Sequence, residues 1–210
     1  MADVLSTGRR LLAAGLVLIV TLATLACSST SPSVRYYTFS VLPYPAQRPS
    51  ENEHELQIAV APVQVPAYLL RPHIVTRDGR NTIEVAEYDR WASSLQEGLA
   101  WAVAENLSAL SGSERVVSGV DTADRNAAYR VTVNVRRFEG RAKERFNLAA
   151  TWTVKAPGDK GTVTEGRTVV EESINGAGMA DLAAAASRAV IALSRDIAAA
   201  IGAVVATDYR

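Results

Sequence analysis

Two runs of alternating apolar and polar residues constrain the fold of this chain more than any other feature. Apolar side chains recur at every second position within residues 129–138, and again within residues 146–155. This period of two is that of a β-strand with one buried face, because successive side chains point to opposite faces of a sheet. A third strand is predicted at residues 162–173, after a Pro-Gly turn. The three runs predict an antiparallel meander with one face in the core.

Two other segments have the period of an α-helix. In each, apolar residues recur three or four positions apart and form one stripe. Asp181 lies in the first turn of the second helix, where the helix dipole favours an acid. Charged residues within this second helix argue against a membrane span: Arg188, Arg195 and Asp196. The predicted stripes comprise Trp91, Leu95, Leu99, Val103, Leu107 and Leu110 in the first helix, and Met179, Leu182, Ala186, Val190, Leu193, Ile197, Ile201 and Val204 in the second.

The remaining extended segments complete the predicted fold. Asp78-Gly79 lies between two of them and predicts a two-residue hairpin turn, in which both positions need positive φ. Pro62 lies inside another and indicates an edge strand, a bulge or an early strand end. We therefore predict an α+β domain, with a mostly antiparallel sheet and two helices packed on one face. The further strands are predicted at residues 34–42, 56–65, 73–77, 81–87 and 114–118.

Cys27 is the only cysteine of the chain, and it follows a segment that is typical of a secretory signal. Arg9 and Arg10 precede 15 uncharged apolar residues at 11–25, and the small Ala26 comes directly before the cysteine. This is the three-part layout of a cleaved signal. The apolar run is also shorter than the roughly 20 residues that a membrane-spanning helix needs.

Residues 24–27 resemble a lipobox, where signal peptidase II cuts before a lipidated cysteine, although Thr24 stands where leucine is usual. An ordinary cleaved signal with a free cysteine and an uncleaved anchor are the alternatives. Ser28 favours the outer membrane, by resemblance to sorting in enterobacteria. We expect three parts: a lipoprotein signal peptide at residues 1–26, a lipidated polar tether at 27–33 that begins with Cys27, and a single periplasmic domain at 34–210.

The charge of the chain excludes one class of partner. Of its 22 basic and 22 acidic residues, two and one respectively precede Cys27, so the remainder carries a net charge of −1. A protein that binds nucleic acid by releasing counterions needs a basic surplus, and this chain has none.

The sequence contains no set of residues typical of an enzyme or a metal site. His54 and His73 are the only histidines, and neither has a second ligand-type residue at metal-binding spacing. The chain lacks the Gly-x-Ser-x-Gly nucleophile elbow. Residues 158–161 contain two glycines and a lysine, but their spacing is that of a hairpin turn and not of a phosphate loop. We therefore expect no catalysis and no cofactor besides the covalent lipid on Cys27.

One apolar loop is a candidate contact surface. Tyr68, Leu69 and Leu70 lie between two prolines, and Arg71 and Pro72 follow them. Exposed apolar loops with aromatic and arginine neighbours often bind partners. The alternative interpretation is that these residues plug the edge of the sheet.

The segment that begins at this loop carries a family resemblance. Residues 68–77 (YLLRPHIVTR), followed by Asn81-Thr82-Ile83 and Arg90-Trp91-Ala92, resemble the signature of the ABC-type transport auxiliary lipoproteins, typified by PqiC. The pair Tyr36-Tyr37 soon after the cysteine, and residues 192–198 in the last helix, are similar to that family as well.

The resemblance implies a function that composition alone does not give. Members of this family are outer-membrane lipoproteins of MCE-domain systems, which carry phospholipids between the inner and outer membranes. The resemblance implies an MCE-domain partner, a homo-oligomeric ring, and a fold like LptE and the N-terminal domain of TolB. Two alternatives stay open: a structural or chaperone-like lipoprotein that supports another outer-membrane assembly, and an envelope hydrolase that uses His73.

Overall fold

The computed structural model describes residues 32–44, 56–119, 129–141, 144–157 and 163–208. Cys27, His54 and the predicted turn at residues 158–161 lie outside these ranges. Val34–Arg210 forms one unit by its internal contacts. The described ranges contain eight strands and two α-helices: β1 (Arg35–Tyr37), β2 (Ile58–Val60), β3 (His73–Asp78), β4 (Thr82–Trp91), α1 (Leu95–Ser111), β5 (Val116–Ser118), β6 (Tyr129–Gly140), β7 (Arg145–Lys155), β8 (Val163–Ser173) and α2 (Met179–Asp208).

Strand β6 is the centre of the sheet. One edge of β6 pairs along its length with β7, and the two strands are antiparallel. Strand β7 pairs in turn with β8, also antiparallel. The other edge of β6 pairs in parallel with β2 near its start and with β3 at its end, where Thr76 faces Gly140. Strands β3 and β4 form an antiparallel hairpin, and β1 and β5 are parallel to β4 and β2 respectively. The predicted α+β class and mostly antiparallel sheet are confirmed, and the parallel pairings are additional.

The meander β6–β7–β8 forms because its alternating apolar residues reach one side. Val133 faces Trp152, and both are buried. Trp152 in turn faces Gly166 on β8, where the ring lies so close that any Cβ would overlap it. The indole nitrogen of Trp152 donates to Thr168 Oγ1 at 3.0 Å, and that hydroxyl donates to the Asp196 carboxylate of α2 at 2.6 Å. One chain of hydrogen bonds thus joins β7, β8 and α2.

Helix α1 begins later than its apolar period predicts. Trp91 belongs to β4, where it pairs with Tyr37 and donates its backbone N–H to the Pro72 carbonyl at 2.7 Å. Ser94 caps the helix, since its hydroxyl accepts from the Glu97 N–H at 3.2 Å. The predicted start at Trp91 is therefore wrong, because the strand ladder and the Ser94 cap both place the boundary at Leu95.

Helix α2 is long and apolar enough, by length and composition, to cross a membrane from Met179 to Ala206. Its predicted stripe, however, lies in the protein core: Leu182, Ala186, Val190, Leu193, Ile197, Ile201 and Val204 are all buried. It packs against α1 and against β6, β7 and β8. The helix is thus apolar because it covers the sheet.

The hairpin between β3 and β4 has a three-residue connection. Asp78 belongs to β3 and pairs with Thr82, so residues 79–81 form the turn. Gly79 adopts a φ of +73°, which favours glycine. The predicted hairpin is present. The predicted two-residue turn at Asp78-Gly79 is wrong, because the turn has three residues and begins one residue later, at Gly79.

Strand β1 is also shorter than its sequence suggests, because the chain leaves the sheet and crosses the helices. The Ser40 N–H donates to Ser187 Oγ on α2 at 3.0 Å. The Leu42 N–H donates to Asn106 Oδ1 on α1 at 2.8 Å. We call residues 38–44 the strap. Before the strap, Asp89 of β4 accepts from Tyr37 Oη at 2.7 Å and from Arg35 Nε at 2.8 Å, which fixes β1 to β4.

Candidate functional site

The predicted contact segment Tyr68–Pro72 divides into an inward and an outward half. A short 3₁₀ helix, Ala67–Leu69, connects the β2 region to β3. Leu69 is buried in the core and Tyr68 is half-buried. Leu70 is 57% exposed, and Arg71 and Pro72 are exposed beside it. The first two residues therefore pack against the sheet, and the last three are exposed, so a contact surface stays a prediction for the exposed residues.

The inward half is held by a buried carboxylate. Glu139 on β6 is only 2% exposed, and it accepts from the Tyr68 hydroxyl at 3.0 Å. Arg77 on β3 donates to the same carboxylate twice, from Nε at 2.5 Å and from Nη2 at 3.0 Å. This fork is the strong form of an arginine–carboxylate pair. We call Tyr68, Arg77 and Glu139 the clamp.

The electrostatics of the clamp follow from its burial and its charges. Burial of the phenol raises the pKa of Tyr68, and the neighbouring Glu139 carboxylate raises it further. The hydrogen bond from Arg77 to Glu139 raises the pKa of the arginine. Tyr68 thus stays a neutral donor, and the charges of Arg77 and Glu139 satisfy each other. A buried carboxylate with both oxygens occupied supports a positioning role for this cluster and not a chemical one.

A cleft of about 510 Å³ opens beside the clamp, and its charges are largely paired. Arg141 contacts Glu144 at 3.3 Å, and Arg145 contacts Glu171 at 3.3 Å. Arg137 points into solvent, 3.7 Å from the Glu139 oxygen that Arg77 already holds. In the described residues no group of three histidine, cysteine, aspartate or glutamate side chains lies close enough to hold a metal ion.

A second concave region is apolar. Phe39 of the strap stacks on Trp91 of β4, with ring centroids 4.7 Å apart and planes at 17°. Phe138 packs edge-on against Phe39 at 5.9 Å and against Phe146 at 4.8 Å. These four rings form an aromatic cluster under the start of α1.

A groove of about 430 Å³ lies above this cluster, between β1 and α1. We call it the aromatic groove. Phe39 and Trp91 form its floor, and Trp101 of α1, 43% exposed, forms one wall. Gly98 lies on α1 beside Phe39, and a Cβ there would come within 3.2 Å of the ring. The residues that line it are Tyr37, Thr38, Phe39, Trp91, Ala92, Ser93, Ser94, Glu97, Gly98 and Trp101.

The residues that the sequence singles out do not form one site in the structure. His73 lies half-buried at the start of β3, where it pairs with Arg90 of β4. Cys27 lies outside those ranges, so its lipidation stays a prediction, as does partner binding by Tyr68–Pro72. The sequence analysis missed Glu139 and the aromatic groove. A signal for Glu139 was its place directly after Phe138, at the end of a strand whose alternation had changed.

Comparisons with known proteins agree with this fold. The family described as ABC-type transport auxiliary lipoprotein component matches residues 37–198. No curated protein gives a significant match to the chain. An uncharacterized protein of known crystal structure superposes with a TM-score of 0.66 at 18% identity, over 81% of this chain and 99% of its own. Protein XCC0632 from Xanthomonas campestris, of the family DUF330, superposes with a TM-score of 0.64 at 19% identity, over 84% and 99%.

Proposed function

The chain belongs to the family of ABC-type transport auxiliary lipoprotein components, and from this premise we propose that it docks an MCE-domain protein at the outer membrane. The family assigns it an auxiliary role in a transport system and does not assign it an enzyme activity. In the proposed role the chain is anchored by lipid on Cys27 and faces the periplasm. It receives the outer end of an MCE-type, ABC-linked phospholipid transport system.

The position of Cys27 supports the anchoring part of the proposal. Val34, where the domain begins, lies seven positions after Cys27. An extended chain spans at most about 3.6 Å per residue, so the domain stays within roughly 25 Å of the lipid. Lipid attachment with several acyl chains gives stable anchoring, whereas a single chain binds only marginally. A short tether of this kind suits a docking domain, because it holds the docking surface close to the bilayer.

The outward half of the segment Tyr68–Pro72 supports the proposal that the chain docks a partner protein. Leu70, Arg71 and Pro72 are exposed together, and the clamp fixes the backbone just before them. Arginine is enriched in protein interfaces and among the residues that contribute most to binding. A surface whose backbone is already ordered loses less entropy on binding than a flexible loop. These three residues are therefore our candidate contact with the MCE partner.

A long open strand edge supports self-assembly. In the described part of the chain, the eleven-residue strand β8 pairs with β7 alone. Val163 and Val169 are exposed on it. A long edge strand with exposed β-branched residues is a template for pairing with a second chain. We include in the proposal a homo-oligomer built through this edge.

Membrane fractionation with co-purification tests the anchoring. The full chain and its Cys27→Ala variant are expressed, and each is followed through separation of inner and outer membranes. We expect the wild type in the outer-membrane fraction with the MCE protein, and the variant in the soluble periplasm without it. A Cys27→Ala variant that stays in the outer membrane would contradict lipid anchoring.

Photocrosslinking in cells tests the docking surface. A benzoylphenylalanine is placed at Leu70 or, as a matched control of 60% exposure, at Val169 on β8. We expect adducts to the MCE protein from position 70 and not from 169. Adducts of position 169 to a second copy of the chain would support the homo-oligomer. An absence of MCE adducts from 70, with wild-type expression, would exclude this surface.

A further inference from the structure

The aromatic groove is not used by the docking surface proposed above, and its chemistry points to a ligand of its own. We propose that the aromatic groove binds one hydrocarbon chain of a membrane phospholipid. The inference deepens the proposed function and rests on its anchoring part, because it assigns to this chain a direct contact with the transported lipid class.

The lining of the groove selects an apolar ligand. Phe39 and Trp91 line its base, and both residues are buried. Three hydroxyls of the lining already donate to groups of the protein: Ser93 to the Ser94 carbonyl, Ser94 to Glu97, and Tyr37 to Asp89. Glu97 is the one charged residue of the lining, and it is exposed. A polar ligand would find few free partners here. A hydrocarbon chain needs none, since its binding free energy comes from the apolar area it removes from water.

The groove is already formed and its size suits a single chain. The stack of Phe39 on Trp91, with Phe138 behind both, fixes the floor without any ligand. Its volume of about 430 Å³ lies at the low end of small-molecule sites, which range over about 300–1,000 Å³. A protein partner would need about 800 Å² of surface on each side, far more than this groove offers by itself. One acyl chain is thus a better fit than a folded partner.

The position of the groove places it within reach of a bilayer. Tyr37 lines it and lies ten positions after Cys27. An extended segment of that length spans at most roughly 36 Å, so an anchored chain keeps the groove close to the lipid headgroups. Trp101 on the wall is half-open to solvent, and tryptophan is the side chain most typical of the membrane interface along with tyrosine. The length of the tether therefore leaves the groove within reach of an acyl chain at the bilayer surface.

The test uses the full, lipidated chain in cells. Benzoylphenylalanine replaces Trp101, which is exposed enough to tolerate the change, and after irradiation the intact protein is weighed by mass spectrometry. We expect a gain in mass equal to one phospholipid. The matched control is Leu110, which lies on the same helix, is 39% exposed and does not line the groove. It should gain no such mass. A second probe at Ala92, which is exposed and lines the groove, should behave like Trp101.

Each outcome decides the proposal. Phospholipid adducts at positions 101 and 92, and not at 110, would support it. A protein adduct at 101, an internal crosslink without added mass, or equal lipid yield at 110 would overturn it in favour of a partner, the chain's own lipid, or simple proximity to the membrane. The fractionation of the Cys27→Ala variant is scored separately, so failure of the groove leaves the anchoring result intact. If the anchoring part of the proposal fails, the fractionation shows it, because the wild-type chain is then found in the soluble fraction.

Discussion

Phe138 and Glu139 are neighbours on β6, yet they stabilise opposite sides of the sheet by different physics. Phe138 points inward, where its ring packs against Phe146 and Trp91 at 4.8 and 6.2 Å. Glu139 points outward and is just as buried, under the 3₁₀ helix and the Arg77 side chain. The inner side depends on apolar area and shape. The outer side depends on charges that must meet at defined atoms.

The two sides differ in the cost of removing one side chain. A smaller ring in the aromatic cluster leaves a cavity whose cost grows with its volume. Loss of one partner in the clamp leaves a charged group buried without compensation, which costs more than the intact pair contributes. The inner side thus stabilises the fold through buried apolar area. The outer side defines where the backbone before Leu70 lies.

The largest expected effect is on the inner side. Phe138→Ala should lower the free energy of unfolding by about 3–5 kcal/mol, because it removes a buried ring from the cluster. Urea denaturation of the full chain in detergent measures this change. Phe138→Leu is the control and should cost clearly less. If both variants unfold like the wild type, the cluster is not the centre of the core.

The next effect is on the clamp. Arg77→Met should cost about 3 kcal/mol, the low end for a broken buried pair, because one side of the arginine is open to water. The double variant with Glu139→Leu should recover much of this loss, since both charges are then gone. A double-mutant cycle measures the coupling between the two residues. Additive losses in that cycle would show that the pair does not act as a unit.

The smallest effect is on the tyrosine of the clamp. Tyr68→Phe should cost about 1.5 kcal/mol, as one hydrogen bond to a charged group is lost. Burial and Glu139 raise the pKa of Tyr68 in the folded protein, so its contribution is complete below the unfolded pKa and is lost as the pH rises through the folded pKa. The wild type should therefore lose stability more steeply than the variant at alkaline pH. Parallel pH curves would contradict this assignment.

The sequence predicted the elements that depend on local period. The alternation of β7 and the apolar stripe of α2 are both present, because each reflects one buried face of one element. The parallel pairings of β2 were not predicted, since they join residues 58 and 71 positions apart and no local pattern specifies them. Trp91 happened to continue the helical spacing of Leu95 and Leu99, although it ends a strand.

The clamp was missed for a physical reason of its own. A β-bulge between Val135 and Arg137 places one extra residue in β6, so the simple alternation reverses after it. Phe138 then points inward and Glu139 outward, against the period that precedes them. The groove was missed because its lining comes from β1, the strap, β4 and α1, which only the tertiary fold brings together.

The way in which β1 is fastened bears on what a tethered domain must withstand mechanically. If the chain is held at Cys27 as proposed, any pull between membrane and partner enters the domain at Arg35. There it meets the ion pair with Asp89 and the ladder to β4. A tension directed along β1 loads these bonds together, in shear. Further along the chain, the strap is held by two more hydrogen bonds, to Ser187 and to Asn106. If the chain is anchored in this way, these contacts would resist a pull on β1 before it reaches the segment Tyr68–Pro72.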